Sequence, residues 1–148
     1  MLFAILLLFT TFFLPSPLHS QSATTKILEM KAGPQSLTLG EEGIVRVDLT
    51  VKPGFKVAKR PAPKLQLEAD SSFEVRFAGF AESASGKDPD YFGVFKPLEV
   101  KITPARTAKT GKHSLEGKLT YFYCSERDKY CSRSVDPLLF SLEVAEKK

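Results

Sequence analysis

Ile44-Val-Arg-Val-Asp-Leu-Thr-Val51 alternates apolar and polar side chains along its whole length. Val45, Val47, Leu49 and Val51 fall on one side of an extended chain, and Arg46, Asp48 and Thr50 fall on the other. That two-residue period is the mark of a half-buried strand. Gly40-Glu-Glu-Gly43 before it reads as a turn, and Pro53-Gly54 ends it.

The same period recurs on both sides. Upstream, Lys26 to Lys31 reads as a short first strand or a frayed lead-in, and Ser36-Leu-Thr-Leu39 alternates briefly. Downstream, Phe55-Lys-Val57 leads into Lys59-Arg-Pro-Ala-Pro63, whose prolines remove backbone donors and force an extended crossing. Lys64 to Ala69 places Leu65, Leu67 and Ala69 inward, and Phe73, Val75 and Phe77 repeat the pattern. Ala81 to Asp90 lacks an apolar period and reads as a loop into Tyr91-Phe-Gly-Val-Phe95. Leu98, Val100 and Ile102 mark another strand, ended by Pro104. After a polar turn at Thr107 to Lys112, a long strand runs from His113 to Cys124, with Leu115, Leu119, Tyr121 and Tyr123 on one face. Pro137 then closes the cysteine segment, and Leu138, Phe140, Leu142 and Val144 line the last strand. Seven or eight short strands and no helical period predict an all-β immunoglobulin-like β-sandwich, with an open barrel as the alternative.

The 148 residues amount to one domain. Leu2 to Leu14 is apolar apart from Thr10 and Thr11, shorter than the roughly 20 residues a bilayer span needs. Pro15-Ser-Pro17 breaks it, and the small residues Ser20, Ser22 and Ala23 follow. These features predict a cleaved export signal over residues 1–22, although its start lacks Lys or Arg. An uncleaved anchor or a buried strand is the competing reading. Residues 23–148 are then a single domain, expected to be periplasmic or secreted. The net charge of +4 comes from 21 basic and 17 acidic residues that interleave rather than gather, which argues against nucleic-acid binding.

Chemistry concentrates in Tyr121-Phe-Tyr-Cys124-Ser-Glu-Arg-Asp-Lys-Tyr130-Cys131, which holds both cysteines of the chain. Two cysteines in an exported chain ordinarily form one bridge. A reversal through Ser125 to Lys129 would bring them within bonding distance. A bridge across so short a loop stabilises by about 2.5 kcal/mol, a value that fits a staple as well as a redox centre. Placement at a loop rather than across the core, in a chain without Trp, favours access by a partner thiolate. Tyr121 and Tyr123 read as core residues. Phe122 shares the face of Cys124, and Tyr130 adjoins Cys131, so these two are candidates to shield the sulfurs or form a partner surface.

Other chemistries fit poorly. Past the leader, His113 is the only imidazole, which leaves a Cys2His metal set short of ligands. The chain has no Gly-x-Ser-x-Gly elbow and no phosphate-cradling loop. No cofactor and no metal are expected.

Three segments carry a resemblance. Val51-Lys-Pro-Gly-Phe-Lys-Val57 with Pro61 and Pro63, then Asp90-Tyr-Phe-Gly93, then Tyr121 to Cys131 resemble, in that order, the amino-terminal periplasmic domain of the thiol:disulfide interchange protein DsbD, the disulfide bond corrector-like family. The likeness runs from about Ile44 to Val144. It implies an immunoglobulin-like fold whose Cys124/Cys131 pair takes electrons from a thioredoxin-fold protein and passes them to periplasmic clients. It further implies that Cys131 forms the mixed disulfide and Cys124 resolves it. Tyr91 occupies the place of the aromatic that caps the pair, with Phe92 beside it and Gly93 following. Ser132-Arg-Ser134 stands where the family has prolines, and the spacing between the cysteines is one residue longer than in DsbD itself. The rival expectation is a secreted, non-catalytic interaction module with a purely structural disulfide.

Overall fold

The computed structural model describes residues 26–33, 35–83 and 88–147. The expected export signal lies outside them. The described residues form strands β1 (Leu28–Ala32), β2 (Gln35–Thr38), β3 (Gly43–Val51), β4 (Phe55–Ala58) and β5 (Lys64–Glu68) in the first half. The second half supplies β6 (Phe73–Phe77), β7 (Tyr91–Phe92), β8 (Leu98–Pro104), β9 (Gly111–Ser125) and β10 (Cys131–Ala145).

Two sheets result. One has the order β1-β3-β8-β6, and the other runs β2-β10-β9-β4-β7 with β5 also paired to β9. Lettering β1, β3, β8 and β6 as A, B, E and D, and β10, β9 and β4 as G, F and C, reproduces the immunoglobulin arrangement. After β1 the chain crosses to the opposite sheet, where β2 pairs in parallel with the end of β10. The fold is therefore an all-β immunoglobulin-like sandwich, not an open barrel.

The opening stretch behaves as its pattern requires. Val45, Val47 and Leu49 of β3 are buried and face Leu98, Val100 and Ile102 of neighbouring β8 across the same inner surface. The other sheet contributes Leu115, Leu119 and Tyr121 from β9, and Leu138, Phe140, Leu142 and Val144 from β10. Each fully buried aliphatic side chain of this kind contributes about 1.5–3 kcal/mol. One inward assignment changes: Ala69 is exposed because β5 stops at Glu68, whereas Val51, Leu65, Leu67, Val75, Phe77 and Tyr123 are half-buried against the core.

Two departures from the sequence reading shape the rest of the molecule. Pairing with β9 moves from Val57↔Tyr123 on β4 to Lys64↔Thr120 on β5. The segment Lys59–Pro63, which contains a cis Arg60–Pro61 bond, is thereby looped out between them. The second departure concerns β10. It begins at Cys131 and runs straight through Pro137, which pairs with Lys118, so Pro137 ends nothing. The polar Ser132-Arg-Ser134 run hides this half of the strand because it lies at an edge. Among the described residues, β2 covers only Leu142 to Ala145, leaving the opposite side of Cys131–Ser141 without a strand. An edge position is where a missing N–H is tolerated.

Candidate functional site around the Cys124–Cys131 disulfide

β9 and β10 form one long hairpin, and Cys124 lies directly opposite Cys131 at its tip. The Ser125 N–H donates to the Tyr130 carbonyl at 2.8 Å, making 125/130 a hydrogen-bonded pair. Ladder positions alternate, so 124/131 is the non-hydrogen-bonded pair, whose side chains approach most closely. The two cysteines form a disulfide, with Cα atoms 4.0 Å apart. The bridge joins neighbouring strands of one sheet and does not cross the core.

The loop above the bridge is internally braced. The Ser125 hydroxyl donates to Asp128 Oδ2 at 2.9 Å and accepts the Asp128 N–H at 3.0 Å. Lys129 takes a left-handed φ of 53°, which completes the reversal. The Glu126 N–H donates to the Gly54 carbonyl at 2.9 Å, fastening the hairpin tip to the β3–β4 turn.

Strand alternation puts Tyr121 and Tyr123 toward the core and Phe122 and Cys124 on the outer face. Cys124 is half-buried, whereas Cys131 is exposed. Their surroundings differ as well. The Tyr91 hydroxyl donates to Cys124 Sγ at 3.4 Å, and Lys56 is the register partner of Cys124 on β4. Lys56 Nζ lies 5.7 Å from the Tyr91 ring centroid and 3.0 Å from Glu126 Oε1. The hydrogen bond with Glu126 holds the Lys56 ammonium above its usual range. Lys56, Tyr91, Glu126, Lys129 and Tyr130 surround the two sulfurs in an open depression of 310 Å³. A larger open cleft of 820 Å³ runs between β1 and β10, but neither cysteine lines it, so size does not locate the chemistry here.

Tyr91 is held over Cys124 by a clamp. Lys59 Nζ pairs with Glu82 Oε2 at 2.7 Å and donates to the Asp88 carbonyl at 2.6 Å. Glu82 Oε1 accepts the Gly93 N–H at 2.6 Å, so Lys59 and Glu82 grip both ends of the segment that carries Tyr91. Asp88 Oδ1 accepts the N–H groups of Asp90 and Tyr91, and the Lys59 N–H donates to the Asp90 carbonyl. Lys59 and then the Gly93 amide hold the Glu82 carboxyl below its ordinary range. The Asp90 amide does the same for Asp88, with a smaller contribution from the Tyr91 amide.

The remaining expected shield residues separate. Phe92 follows Tyr91 on the strand and faces the other way, stacked on Phe95 at 4.6 Å against the core, so it does not join Tyr91 over the sulfurs. Phe122 sits half-buried on the face of Cys124, opposite Arg133. Tyr130 is 45% exposed beside the bridge, its ring edge-on to Tyr123 at 6.3 Å. A hydrogen bond with Tyr123 raises the Tyr130 hydroxyl above its ordinary pKa. His113 packs on Phe73 at 5.2 Å, as a strand-entry residue should.

Sequence reasoning missed Lys56, Lys59 and Glu82, which are ordinary surface types until pairing brings them together. It also passed over Asp136, buried at the inward period of β10. The Tyr121 hydroxyl donates to Asp136 Oδ2 at 2.7 Å, and the Ser134 hydroxyl donates to Oδ1 at 2.8 Å. The phase of Asp136 with Leu138, Phe140, Leu142 and Val144 was a readable sign of its burial.

No protein-family model matches the chain. No curated protein matches it. Among solved structures it is similar to a family 123 glycoside hydrolase from Clostridium perfringens, at 9% identity and a TM-score of 0.44 over 82% of this chain. The chain spans only 28% of that hydrolase. Murine CRIg is similar at 11% identity and a TM-score of 0.42, covering 80% of this chain and 98% of its own. A chain of a type I cohesin–dockerin complex from Clostridium thermocellum is similar at 15% identity and 0.38, covering 81% and 100% respectively. Likenesses this distant carry no functional argument, and the fold class rests on the strand order itself.

Proposed function

We propose that this chain is an exported thiol–disulfide exchange module, carrying electrons from a thioredoxin-fold donor to periplasmic clients through Cys124 and Cys131. The observation that carries the reading is the asymmetry of the bridge. Cys131 is open to solvent at the hairpin tip, while Cys124 lies under the Tyr91 hydroxyl. A bridge on an outer face, away from the core, is open to an incoming thiolate. The ordered likeness to the amino-terminal domain of DsbD points the same way.

The exchange needs no cofactor. A donor thiolate attacks Cys131 Sγ, the Cys124–Cys131 bond breaks, and its electron pair leaves on Cys124. The donor's second thiolate then attacks the mixed disulfide, departs as the oxidised donor, and leaves both cysteines reduced. Toward a client, the Cys131 thiolate attacks the client disulfide. Cys124 then attacks Cys131 Sγ, which frees the reduced client and restores the bridge.

Two measurements test this. Equilibration with a thioredoxin-fold donor should give a potential near the range of thioredoxin and glutaredoxin, about −270 to −200 mV. A Cys124→Ser variant, unable to resolve, should accumulate a covalent adduct through Cys131 with a thioredoxin-fold protein that lacks its own second cysteine and carries the remaining one as a mixed disulfide with a small aromatic thiol, which departs as the adduct forms. A bridge that such a donor leaves intact, with no adduct formed, would return the protein to an interaction module with an inert staple.

A further inference from the structure

Breaking the bridge from the Cys131 side places a new negative charge on Cys124, the sulfur whose residue has Lys56 as its β4 register partner and which accepts the Tyr91 hydroxyl. We propose that Lys56 is the cation that receives the charge of the departing Cys124 sulfur, making this cysteine the preferred leaving group. The inference rests on the exchange reading above and deepens it.

Three observations carry it. Lys56 and Cys124 are direct register partners on adjacent antiparallel strands. Side chains so placed start from Cβ atoms about 4.5–5.5 Å apart. Both stand on the outer face, where Lys56, Cys124 and Cys131 line one depression. The ammonium is held over that depression, with Glu126 at 3.0 Å on one side and the Tyr91 ring at 5.7 Å on the other.

While the bridge is closed, Glu126 is the counterion of Lys56. Once it opens, the Cys124 thiolate becomes a second anion beside the same ammonium and accepts a hydrogen bond from the Tyr91 hydroxyl. The charged and titratable groups around Cys124 are Lys56 from β4, Tyr91 from β7, and Glu126, Lys129 and Tyr130 from the hairpin loop. Asp88 lies farther out and acts on Lys56. Two cations against one adjoining carboxylate favour the thiolate. A leaving thiol of lower pKa departs faster.

The thiol of Cys124 is read alone in a Cys131→Ser background, by ultraviolet thiolate absorbance against pH. Adding Lys56→Met should raise its pKa by about one unit, the lower end of what a neighbouring charge achieves. In the disulfide-intact protein, Lys56→Met should slow bridge opening by dithiothreitol about two- to threefold. Lys56→Arg should keep the wild-type value in both assays. Glu126→Gln, which removes the competing anion, should shift both the opposite way. Thermal melts verify that each variant is folded. Should Cys131→Ser fail to fold, the dithiothreitol rates decide. Unchanged rates and thiol pKa in Lys56→Met, or an Arg variant as impaired as the Met variant, overturn the role of Lys56. A wild-type bridge that dithiothreitol opens but a thioredoxin-fold donor does not would instead overturn the exchange function, leaving the charge effect standing.

Discussion

Inside the sandwich, Asp136 is held by two hydroxyls and is itself buried, so each hydroxyl holds part of an otherwise unsatisfied carboxyl. Burial first, and the Asp136 carboxylate second, push the Tyr121 hydroxyl well above its ordinary pKa. Tyr121→Phe leaves Asp136 with Ser134 alone and should cost about 1–3 kcal/mol in urea unfolding, the usual penalty for orphaning a buried polar group. Tyr91 predicts a different split, between ring and hydroxyl. Tyr91→Phe removes the hydrogen bond to Cys124 yet keeps the covering ring, whereas Tyr91→Ala uncovers the sulfur. Reduction by a phosphine should therefore quicken severalfold in the Ala variant, where Cys124 is opened to attack, and should not quicken in the Phe variant, which loses only the hydroxyl that supports the departing Cys124 sulfur. At this scale the sulfurs and Tyr91 were legible because cysteine and a motif aromatic announce themselves. Lys56, Lys59 and Glu82 were not, since a charged side chain has no meaning in sequence until a partner 20 or more residues away is brought beside it (Lys59 and Glu82).

The clamp and the hairpin are the elements that matter. Lys59→Met should release the segment carrying Tyr91, seen as faster hydrogen exchange at the Gly93 and Tyr91 amides with β3 and β8 unchanged. The clamp also predicts a pH dependence. The folded-state pKa of Glu82 lies below its ordinary value, so the unfolded chain binds the proton more readily. Its contribution is complete above the ordinary carboxylate range and fades as pH falls through the lowered folded value. The stability difference between wild type and Glu82→Gln should accordingly shrink below about pH 4. Removing the bridge by replacing both cysteines with Ser should lower stability by about 2.5 kcal/mol without loss of the fold. β9 and β10 remain registered from Tyr123↔Ser132 down to Gly111↔Val144. Strands with an apolar face, such as Ile44–Val51, were readable from alternation. The first half of β10 was not, because an edge strand held by one neighbour needs no apolar period, and its Pro137 looked like a stop.

Across the whole molecule, the expected seven or eight strands became ten among the described residues, including the two-residue β7, whereas the sandwich architecture followed from the recurring two-residue period. Sheet membership did not, since alternation says which face is buried and not which strand lies next door. The crossing from β1 to β2 and the looping-out of Lys59–Pro63 both depend on such long-range pairing. Gly117 shows how closely it is fitted: a Cβ there would lie 2.9 Å from the Gln66 carbonyl and 2.5 Å from the Leu67 side chain on β5. Gly117→Ala should destabilise by about 1–3 kcal/mol in chemical unfolding, the scale of overpacking.

That no strand among the described residues pairs with the outer side of Cys131–Ser141 on β10 has one more consequence. A row of backbone donors and acceptors facing solvent invites a foreign strand to extend the sheet, and exposed Val135 and Leu139 would sweeten the invitation. Pro137 stands between them, contributing no N–H and interrupting the row. A proline at that place deters edge-to-edge pairing, so Pro137→Thr should leave a folded protein that clumps on standing, visible as rising light scatter with protein concentration.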